Sequence, residues 1–337
     1  QIAVSFCALS FEMKYLVPLH HDNYEEIPPR DGFGQGLVEL GQTNPDVVAL
    51  CGDLVESTRV QAFAEAFPER YFEMGVAEQN MAGVAAGLAL AGKIPFVSSY
   101  AVFSPGRNWD QIRVSICYSR VNVKIVGAHA GISVGPDGAT HQALEDIAIT
   151  RVLPNLIVVV PTDSVEAKKA TIAIARHVGP SYIRFGREKT PVITNDDTPF
   201  ELGKALPILA GDDVTIIANG QMVYRAIMAA KELESRISVR VLNMHTVKPI
   251  DATSIIDAAK ETGAIVTAEE HQIIGGLGSA VTEVLANHYP VPVERIGVLD
   301  TFGESGQPSE LMEYYHLGIS DIVHAIKRVL RRKSDAR

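Results

Sequence analysis

Residues 71–92, YFEMGVAEQNMAGVAAGLALAG, are the stretch around which the rest of the chain can be interpreted. A strand-like piece ends at Gly75, and a carboxylate, Glu78, then begins an apolar segment rich in alanine and glycine. Gly83 and Gly87 are four residues apart and share one face of the predicted helix. Each glycine costs a helix roughly 1 kcal/mol relative to alanine. The segment therefore predicts close packing against another backbone.

Two interpretations of Glu78 remain open from this stretch alone. It can be an ordinary acid in the first turn, stabilised by the helix dipole. It can also be a carboxylate held at a packed, water-poor interface, where it is able to exchange a proton with a ligand.

Composition and charge restrict the class of protein. The chain has 337 residues, of which 47% are hydrophobic, and a formal net charge of −10. This length suits two domains, and the charge argues against a nucleic-acid partner. The basic run at residues 327–333 is expected to end a surface helix. Cys7, Cys51 and Cys117 are odd in number and form no Cys-x-x-Cys, which predicts a reduced, cytoplasmic protein without structural zinc.

The longest uncharged apolar run, residues 81–92, is too short to span a bilayer, so no membrane partner is expected. Residue 1 is Gln, and the first methionine is Met13. We treat residues 1–28 as an N-terminal extension of no assigned function, in which residues 1–12 need not belong to the natural protein.

Short continuous apolar runs alternate with helical stretches along the chain. This alternation predicts α/β architecture, with open, mostly parallel sheets covered on both faces. In the first half the predicted strands are residues 47–51, 94–99, 121–127, 156–160 and 182–185. In the second half they are residues 214–218, 238–242, 264–269 and 293–298. We predict two domains, residues 29–188 and 204–332, joined by a polar linker at residues 189–203.

Polar and aromatic side chains follow the predicted strands, at the edge where open parallel sheets bind ligands. They are Asp53, Ser57, Tyr100, Phe103, His129, Asp137, His141 and Arg187. Collected at one edge, they predict a pocket for a phosphorylated or hydroxylated ligand. Neither a Gly-x-Gly-x-x-Gly pattern nor a P-loop occurs, so dinucleotide and ATP chemistry have no positive signal.

Three motifs in order carry a family resemblance: residues 76–96 (VAEQNMAGVAAGLALAGKIPF), 107–118 (RNWDQIRVSICY) and 127–148 (GAHAGISVGPDGATHQALEDIA), followed by VLPN. Together they resemble the thiamine-diphosphate-dependent transketolases, specifically their pyrimidine-binding and C-terminal domains. The Gly-Asp-Gly motif, with which the family binds Mg²⁺ and the diphosphate, is absent. The chain therefore resembles the C-terminal subunit of a split transketolase, whose partner carries the diphosphate-binding domain and the Mg²⁺.

The resemblance implies roles for the cofactor-side residues. Glu78 matches the glutamate that hydrogen-bonds the aminopyrimidine of thiamine diphosphate. Tyr100 and Phe103 match the aromatic pair against that ring, and Asp53 matches an acid on the thiazolium side.

It implies roles on the substrate side as well. His129, Asp137 and His141 match polar groups around the sugar hydroxyls, where with Glu78 they would be catalytic. The donors matched at the sugar phosphate are Arg30, Ser57, His129 and Arg187.

The implied activity is transfer of a two-carbon ketol unit from a ketose phosphate to an aldose phosphate, as in the pentose phosphate pathway. The implied assembly is a heterotetramer with self-association through the Gly/Ala helix. Alternatives are a deoxyxylulose-phosphate-synthase-like or 2-oxo-acid-dehydrogenase-like half, a non-catalytic scaffolding subunit, and an unrelated α/β ligand-binding protein.

Overall fold

A computed structural model describes residues 16–18 and 24–335, so Cys7 and Met13 lie outside the described residues. The strands are β1 (Glu26–Ile27), β2 (Val47–Cys51), β3 (Tyr71–Glu73), β4 (Ile94–Tyr100), β5 (Lys124–Ala128), β6 (Ile157–Val159), β7 (Ser181–Arg184), β8 (Thr190–Pro191), β9 (Leu206–Leu209), β10 (Val214–Ala218), β11 (Val239–Asn243), β12 (Thr246–Lys248), β13 (Ile265–Gln272) and β14 (Val293–Val298).

The helices are α1 (Pro29–Thr43), α2 (Gln61–Ala66), α3 (Glu78–Leu90), α4 (Asp146–Arg151), α5 (Ser164–Arg176), α6 (Met222–Leu233), α7 (Ala252–Thr262), α8 (Leu277–His288), α9 (Pro308–Tyr314) and α10 (Ile319–Asp335). Between β4 and β5, a short piece, Trp109–Gln111, continues as the π-helix Ile112–Tyr118. None of the described helices is both long and apolar enough to cross a membrane.

The strands form two main sheets, which confirms the predicted α/β class with mostly parallel strands. In the first sheet the order is β12-β6-β7-β5-β4-β2-β3, and every neighbouring pair except β12 with β6 is parallel. In the second sheet the order is β14-β13-β10-β11-β9, with only β9 antiparallel. The central strands β2, β5 and β10 are buried along their whole length, as continuous apolar runs in a covered sheet should be.

Several elements differ from the sequence-based expectation. The short strands β9 and β12 and the helix α9 were not expected. Strand β12 comes from the second half of the chain, yet it joins the edge of the first sheet. The segment predicted as a linker contains β8, which pairs with β1. It is also fixed by Asp163, whose carboxylate accepts hydrogen bonds from the amides of Ile193 (2.9 Å) and Thr194 (2.8 Å).

Helix α3 uses its faces differently from the prediction. Met81, Ala82, Ala85 and Ala86 are buried against the first sheet. Gly83 and Gly87 are instead exposed, and a Cβ added at either would meet no atom of residues 16–18 and 24–335 within 4 Å. The predicted close approach of another backbone is not made by the described part of this chain, and for a second subunit it stays a prediction. The small-residue face remains an open, flat surface.

Candidate functional site

The carboxyl edge of the first sheet brings the predicted aromatic and histidine side chains together. Tyr100, at the end of β4, stacks on His129 with ring centroids 4.1 Å apart. Phe103 lies 6.1 Å from the Tyr100 ring and 5.3 Å from the His141 ring. These four rings form a continuous wall, because β4 and β5 are adjacent parallel strands that deliver their following loops to the same edge.

Glu78 begins α3 and lies beneath this wall, with its side chain 1% exposed. One carboxylate oxygen accepts a hydrogen bond from Ser99 Oγ at 3.2 Å. The other accepts from Arg107 Nη1 at 3.0 Å. Asn108 Nδ2 donates to the Glu78 carbonyl oxygen at 3.2 Å. Burial with oriented donors makes Glu78 more than an ordinary first-turn acid, and so favours the second interpretation above.

Arg107 was missed by the sequence analysis. Its guanidinium lies over the Phe103 ring, 4.3 Å from the centroid, while it donates to Glu78. A planar N–C–N group therefore lies on the aromatic ring and hydrogen-bonds the buried carboxylate. The only sequence signal was its place four residues after Phe103, at the start of one of the three motifs.

Asp53 follows β2 at the same edge and is exposed, with φ of 60°. Its amide donates to Glu73 Oε1 at 2.8 Å. The preceding residue, Gly52, lies beside Glu78, since a Cβ built on it would be 3.9 Å from Glu78 Oε1. Asp53 thus follows directly the residue that lies beside the Glu78 carboxylate, at the same edge of the sheet.

His129 contacts Arg30, with Nη1 of the arginine 3.3 Å from Nε2 of the imidazole. Because a guanidinium only donates, Nε2 accepts, and the ring proton is assigned to Nδ1. That Nδ1 is buried and has no hydrogen-bond partner among the described residues. Burial lowers the pKa of His129 to about 3, with help from Arg30 and Arg187. A neutral ring with one free N–H suits hydrogen bonding to a ligand better than proton shuttling.

The same arginine begins a cationic patch. Arg30 Nη1 donates to the Ser57 carbonyl oxygen at 3.0 Å, so it is the backbone of Ser57 that it contacts. Its Nε is buried, and no residue of the described ranges hydrogen-bonds it. Burial and the charge of nearby Arg59 lower the pKa of Arg30. Arg59, also missed from the sequence, is paired with Asp31 at 2.5 Å. Such a concentration of positive charge favours an anion.

Arg187 and Asp137 form a second pair of charged side chains at this edge. Arg187 Nη1 lies 3.5 Å from Asp137 Oδ1 and donates to the Val134 carbonyl oxygen at 3.2 Å. Both charged side chains are about one-third exposed. A weak, solvated pair of this kind contributes little to stability, so both groups remain available to a ligand. Within residues 16–18 and 24–335, no cluster of three or more His, Cys, Asp or Glu side chains could hold a metal ion.

The predicted residues that the structure brings into contact form a group with two ends: Arg107 links the buried Glu78 to Phe103, and Arg30 lies beside His129. One end offers a buried carboxylate under an aromatic face, which fits a flat, nitrogen-containing ring. The other end offers arginines and a histidine, which fits an anion such as a phosphate.

Residues 25–192 match the model for the transketolase pyrimidine-binding domain, and residues 203–322 match the transketolase C-terminal domain. The chain is 44% identical to the 6-deoxy-6-sulfo-D-fructose transketolase subunit of Clostridium sp. (strain MSTE9), over 90% of this chain and 95% of that protein. It is 42% identical to one of the subunits of the apulose-4-phosphate transketolase of Phocaeicola vulgatus, over 86% and 93% respectively.

A solved structure is also similar. It is described as a split-gene transketolase, an inactive β4 tetramer, and it shares 50% sequence identity with this chain. The superposition has a TM-score of 0.86 and covers 91% of this chain and 99% of that one.

Proposed function

Because this chain belongs to the transketolase family, in which it corresponds to the pyrimidine-binding and C-terminal domains, we propose that it is the C-terminal subunit of a two-component transketolase. With a partner that carries the diphosphate-binding domain, it transfers a two-carbon ketol unit from a ketose phosphate to an aldose phosphate. The observation that carries this proposal is the buried Glu78 beneath an aromatic face, joined in one pocket to a cationic patch.

The pocket fits the aminopyrimidine end of thiamine diphosphate. The guanidinium of Arg107 stands in for such a ring, since it is flat, rests on Phe103 and donates an N–H to Glu78. Glu78, Phe103 and Tyr100 would hold the ring, and Asp53 lies at the same edge of the sheet. When bound, thiamine diphosphate supplies the nucleophilic carbon that attacks the ketose carbonyl. Glu78 would hold a proton at the ring nitrogen that it contacts, in a site from which water is excluded.

The other end of the pocket would bind the sugar phosphate. The Nδ1–H of His129, which no described residue accepts, would donate to a sugar oxygen. His141, which lies against Phe103, and Asp137, which lies beside Arg187, would contact sugar hydroxyls. Arg30, Arg187 and the backbone near Ser57 would fix the phosphate dianion. The two relatives are named for different sugars. We therefore infer that the pocket recognises the anionic end of the substrate rather than one particular sugar.

The proposal includes assembly and location. Residues 29–188 and 204–332 would act as two units joined by residues 189–203. The flat, exposed face of α3 would pack against a second copy, and two partner subunits would complete a heterotetramer. The partner would hold Mg²⁺ and the diphosphate. The name of the solved relative, an inactive β4 tetramer, supports a requirement for the partner. We place the enzyme in the cytoplasm, within pentose phosphate metabolism.

The test is to co-express this chain with a candidate partner encoded beside it and to assay ketol transfer with thiamine diphosphate and Mg²⁺. We expect activity from the complex and none from either chain alone. Tight, Mg²⁺-dependent binding of thiamine diphosphate by this chain alone, measured by calorimetry, would contradict the two-component assignment. Decarboxylation of pyruvate by the complex would favour a deoxyxylulose-phosphate-synthase-like or 2-oxo-acid-dehydrogenase-like half instead.

A further inference from the structure

The loop that carries Asp137 and His141 has little regular structure of its own. It contains only the short 3₁₀ segment Ile132–Asp137, and three of its glycines have φ between 72° and 90°. A backbone of this kind is not fixed by a repeating hydrogen-bond ladder. Its shape therefore depends on the residues against which it packs.

A carboxylate from the C-terminal domain, residues 203–322, lies against this loop. Glu270, in strand β13, is 5% exposed. Its Oε1 accepts a hydrogen bond from the Ser133 amide at 2.7 Å. Its Oε2 accepts from Gln221 Nε2 at 2.5 Å, and the same Nε2 lies 2.9 Å from Ser133 Oγ. Both oxygens of Glu270 thus face donors, and one donor belongs to the loop itself.

The fit around this carboxylate is close. A Cβ on Gly131 would lie 2.3 Å from the Glu270 carboxyl carbon, so only glycine lets the loop reach it. The Glu270 carbonyl oxygen accepts from Arg184 Nη2 at 2.7 Å, and Arg184 Nε donates to Asp146 at 2.8 Å. Asp146 begins the helix that follows the loop. Glu270 therefore contacts the loop directly near the start of the loop. Through Arg184 it is also linked to Asp146, just after the end of the loop.

A second attachment lies on the other side of the loop. Gln142 Nε2 contacts the carbonyl oxygens of Ile132, at 3.1 Å, and Glu304, at 3.0 Å. Gly135 packs against Pro308, which a built Cβ would approach to 3.0 Å. Glu304 and Pro308 belong to the C-terminal domain, so the loop is held between two of its segments.

We propose that Glu270 is a positioning residue for ketol transfer, through which the C-terminal domain sets the conformation of the substrate-binding loop. The residues of the pocket all come from the first domain, and Glu270 touches none of the reacting groups. It acts through the Ser133 amide, which lies between His129 and Asp137 in the chain. This inference rests on the proposed function, and it gives the C-terminal domain a defined task in it.

The polarity of the Glu270–Gln221 pair gives a direct test. Glu270→Gln replaces one acceptor by an amide donor, so the contact with Gln221 is kept only if the Gln221 amide turns over, which removes its N–H from Ser133 Oγ. Gln221→Glu alone places two carboxylates together. The double variant Glu270→Gln/Gln221→Glu exchanges donor and acceptor between the two positions. The new amide oxygen can accept from Ser133 and its NH₂ can donate to the new carboxylate, so the network is restored.

In the complex with its partner, we expect Glu270→Gln to lower kcat/KM for ketol transfer by roughly tenfold to a hundredfold, and the double variant to recover most of the loss. In the isolated chain, amide hydrogen exchange of peptides covering residues 131–141 should accelerate in Glu270→Gln and slow again in the double variant. The hydrogen-exchange measurement needs neither the partner nor the cofactor. It therefore tests whether Glu270 fixes the loop conformation even if ketol transfer is not the reaction.

Glu269→Gln is the matched control. Glu269 is equally buried and also accepts two amide hydrogen bonds, from Leu277 (2.6 Å) and Gly278 (2.8 Å), but within its own domain. It should lower thermal stability without accelerating exchange in residues 131–141. Three results would overturn the inference: faster loop exchange with unchanged kinetics, equal effects of Glu269→Gln on the loop, or failure of the double variant to recover either readout. Absence of ketol transfer in the wild-type complex would instead refute the proposed function.

Discussion

At the scale of single residues, the chemistry depends on Glu78 in a pocket from which water is largely excluded. Glu78→Gln keeps the shape and the Ser99 contact but removes the proton-holding carboxyl group. In the complex we expect kcat to fall about 10²–10⁴-fold, while folding and assembly remain unchanged. Glu73→Gln, at the same sheet edge, is the control and should change kcat only slightly. A similar kcat for Glu78→Gln and wild type would show that the carboxylate is structural.

Arg107 competes for the place of the cofactor ring. Binding must break its contact with Glu78 and lift it from Phe103. Arg107→Gln should therefore tighten thiamine diphosphate binding to the complex, roughly threefold to tenfold in Kd. The fluorescence of Trp109, the only tryptophan, can report the titration from two residues away. Arg113→Gln on the same segment is the control, and weaker binding by Arg107→Gln would mean that the arginine contacts the cofactor.

Arg187 is expected to bind the substrate phosphate. A charge-assisted hydrogen bond contributes about 1.5–3 kcal/mol, so Arg187→Ala should lower kcat/KM for a phosphorylated acceptor about tenfold to a hundredfold. If ground and transition states are bound equally, the loss will appear in KM. Glycolaldehyde lacks the phosphate and should lose little, which makes the comparison a double-mutant cycle. Equal losses for both acceptors would leave the phosphate role of Arg187 without support.

At the scale of elements, α3 has one face buried in the core and one face exposed. Gly83→Gln adds a side chain where no atom of the described residues lies within 4 Å. The variant chain should be as stable as wild type or up to about 1 kcal/mol more stable, because glycine weakens a helix. If the face packs against a second copy, however, association should weaken sharply in analytical ultracentrifugation. Ala62→Gln, on the exposed side of α2, should leave association intact, and unchanged association in Gly83→Gln would exclude this face from the interface.

At the scale of the whole molecule, buried neutral histidines link stability to pH. His245 is 1% exposed and stacks on Phe200, with ring centroids 4.2 Å apart, and burial lowers its pKa to about 3. Between pH 6.5 and 3 the unfolded chain binds a proton that the folded chain does not, so stability falls as pH falls through this window. His129 acts in the same direction.

We therefore expect the free energy of unfolding of His245→Gln to depend less steeply on pH, by up to about 1.4 kcal/mol per pH unit below pH 6.5. Urea titrations of the wild type and the variant at pH 7, 6 and 5 give, for each protein, the slope of the free energy of unfolding against pH. The variant can start from a lower stability, because only the slopes are compared. Parallel slopes would show that His245 is not the titrating group.

The sequence by itself determined the elements whose signals are local. Strands Val47–Cys51, Val214–Ala218 and Val293–Val298 have the bounds that their apolar runs predicted. The π-helical form of Ile112–Tyr118 and the two-residue strands had no such signal. The site residues could be named because parallel strands deliver their carboxyl ends to one edge and because three motifs carried a family resemblance.

Tertiary structure decided what depends on neighbours distant in sequence. The sheet beneath α3 decides which face of the helix is buried. Ala85 and Gly83 are both small residues, so the sequence alone does not show that Ala85 is buried and Gly83 exposed. Arg107 and Arg59 join the pocket only because folding brings them beside Glu78 and Arg30. The contact of Glu270 with Ser133 spans 137 residues, and no local pattern marks it. Burial, and with it the neutral state of His129, is likewise a property of the packed fold rather than of any segment.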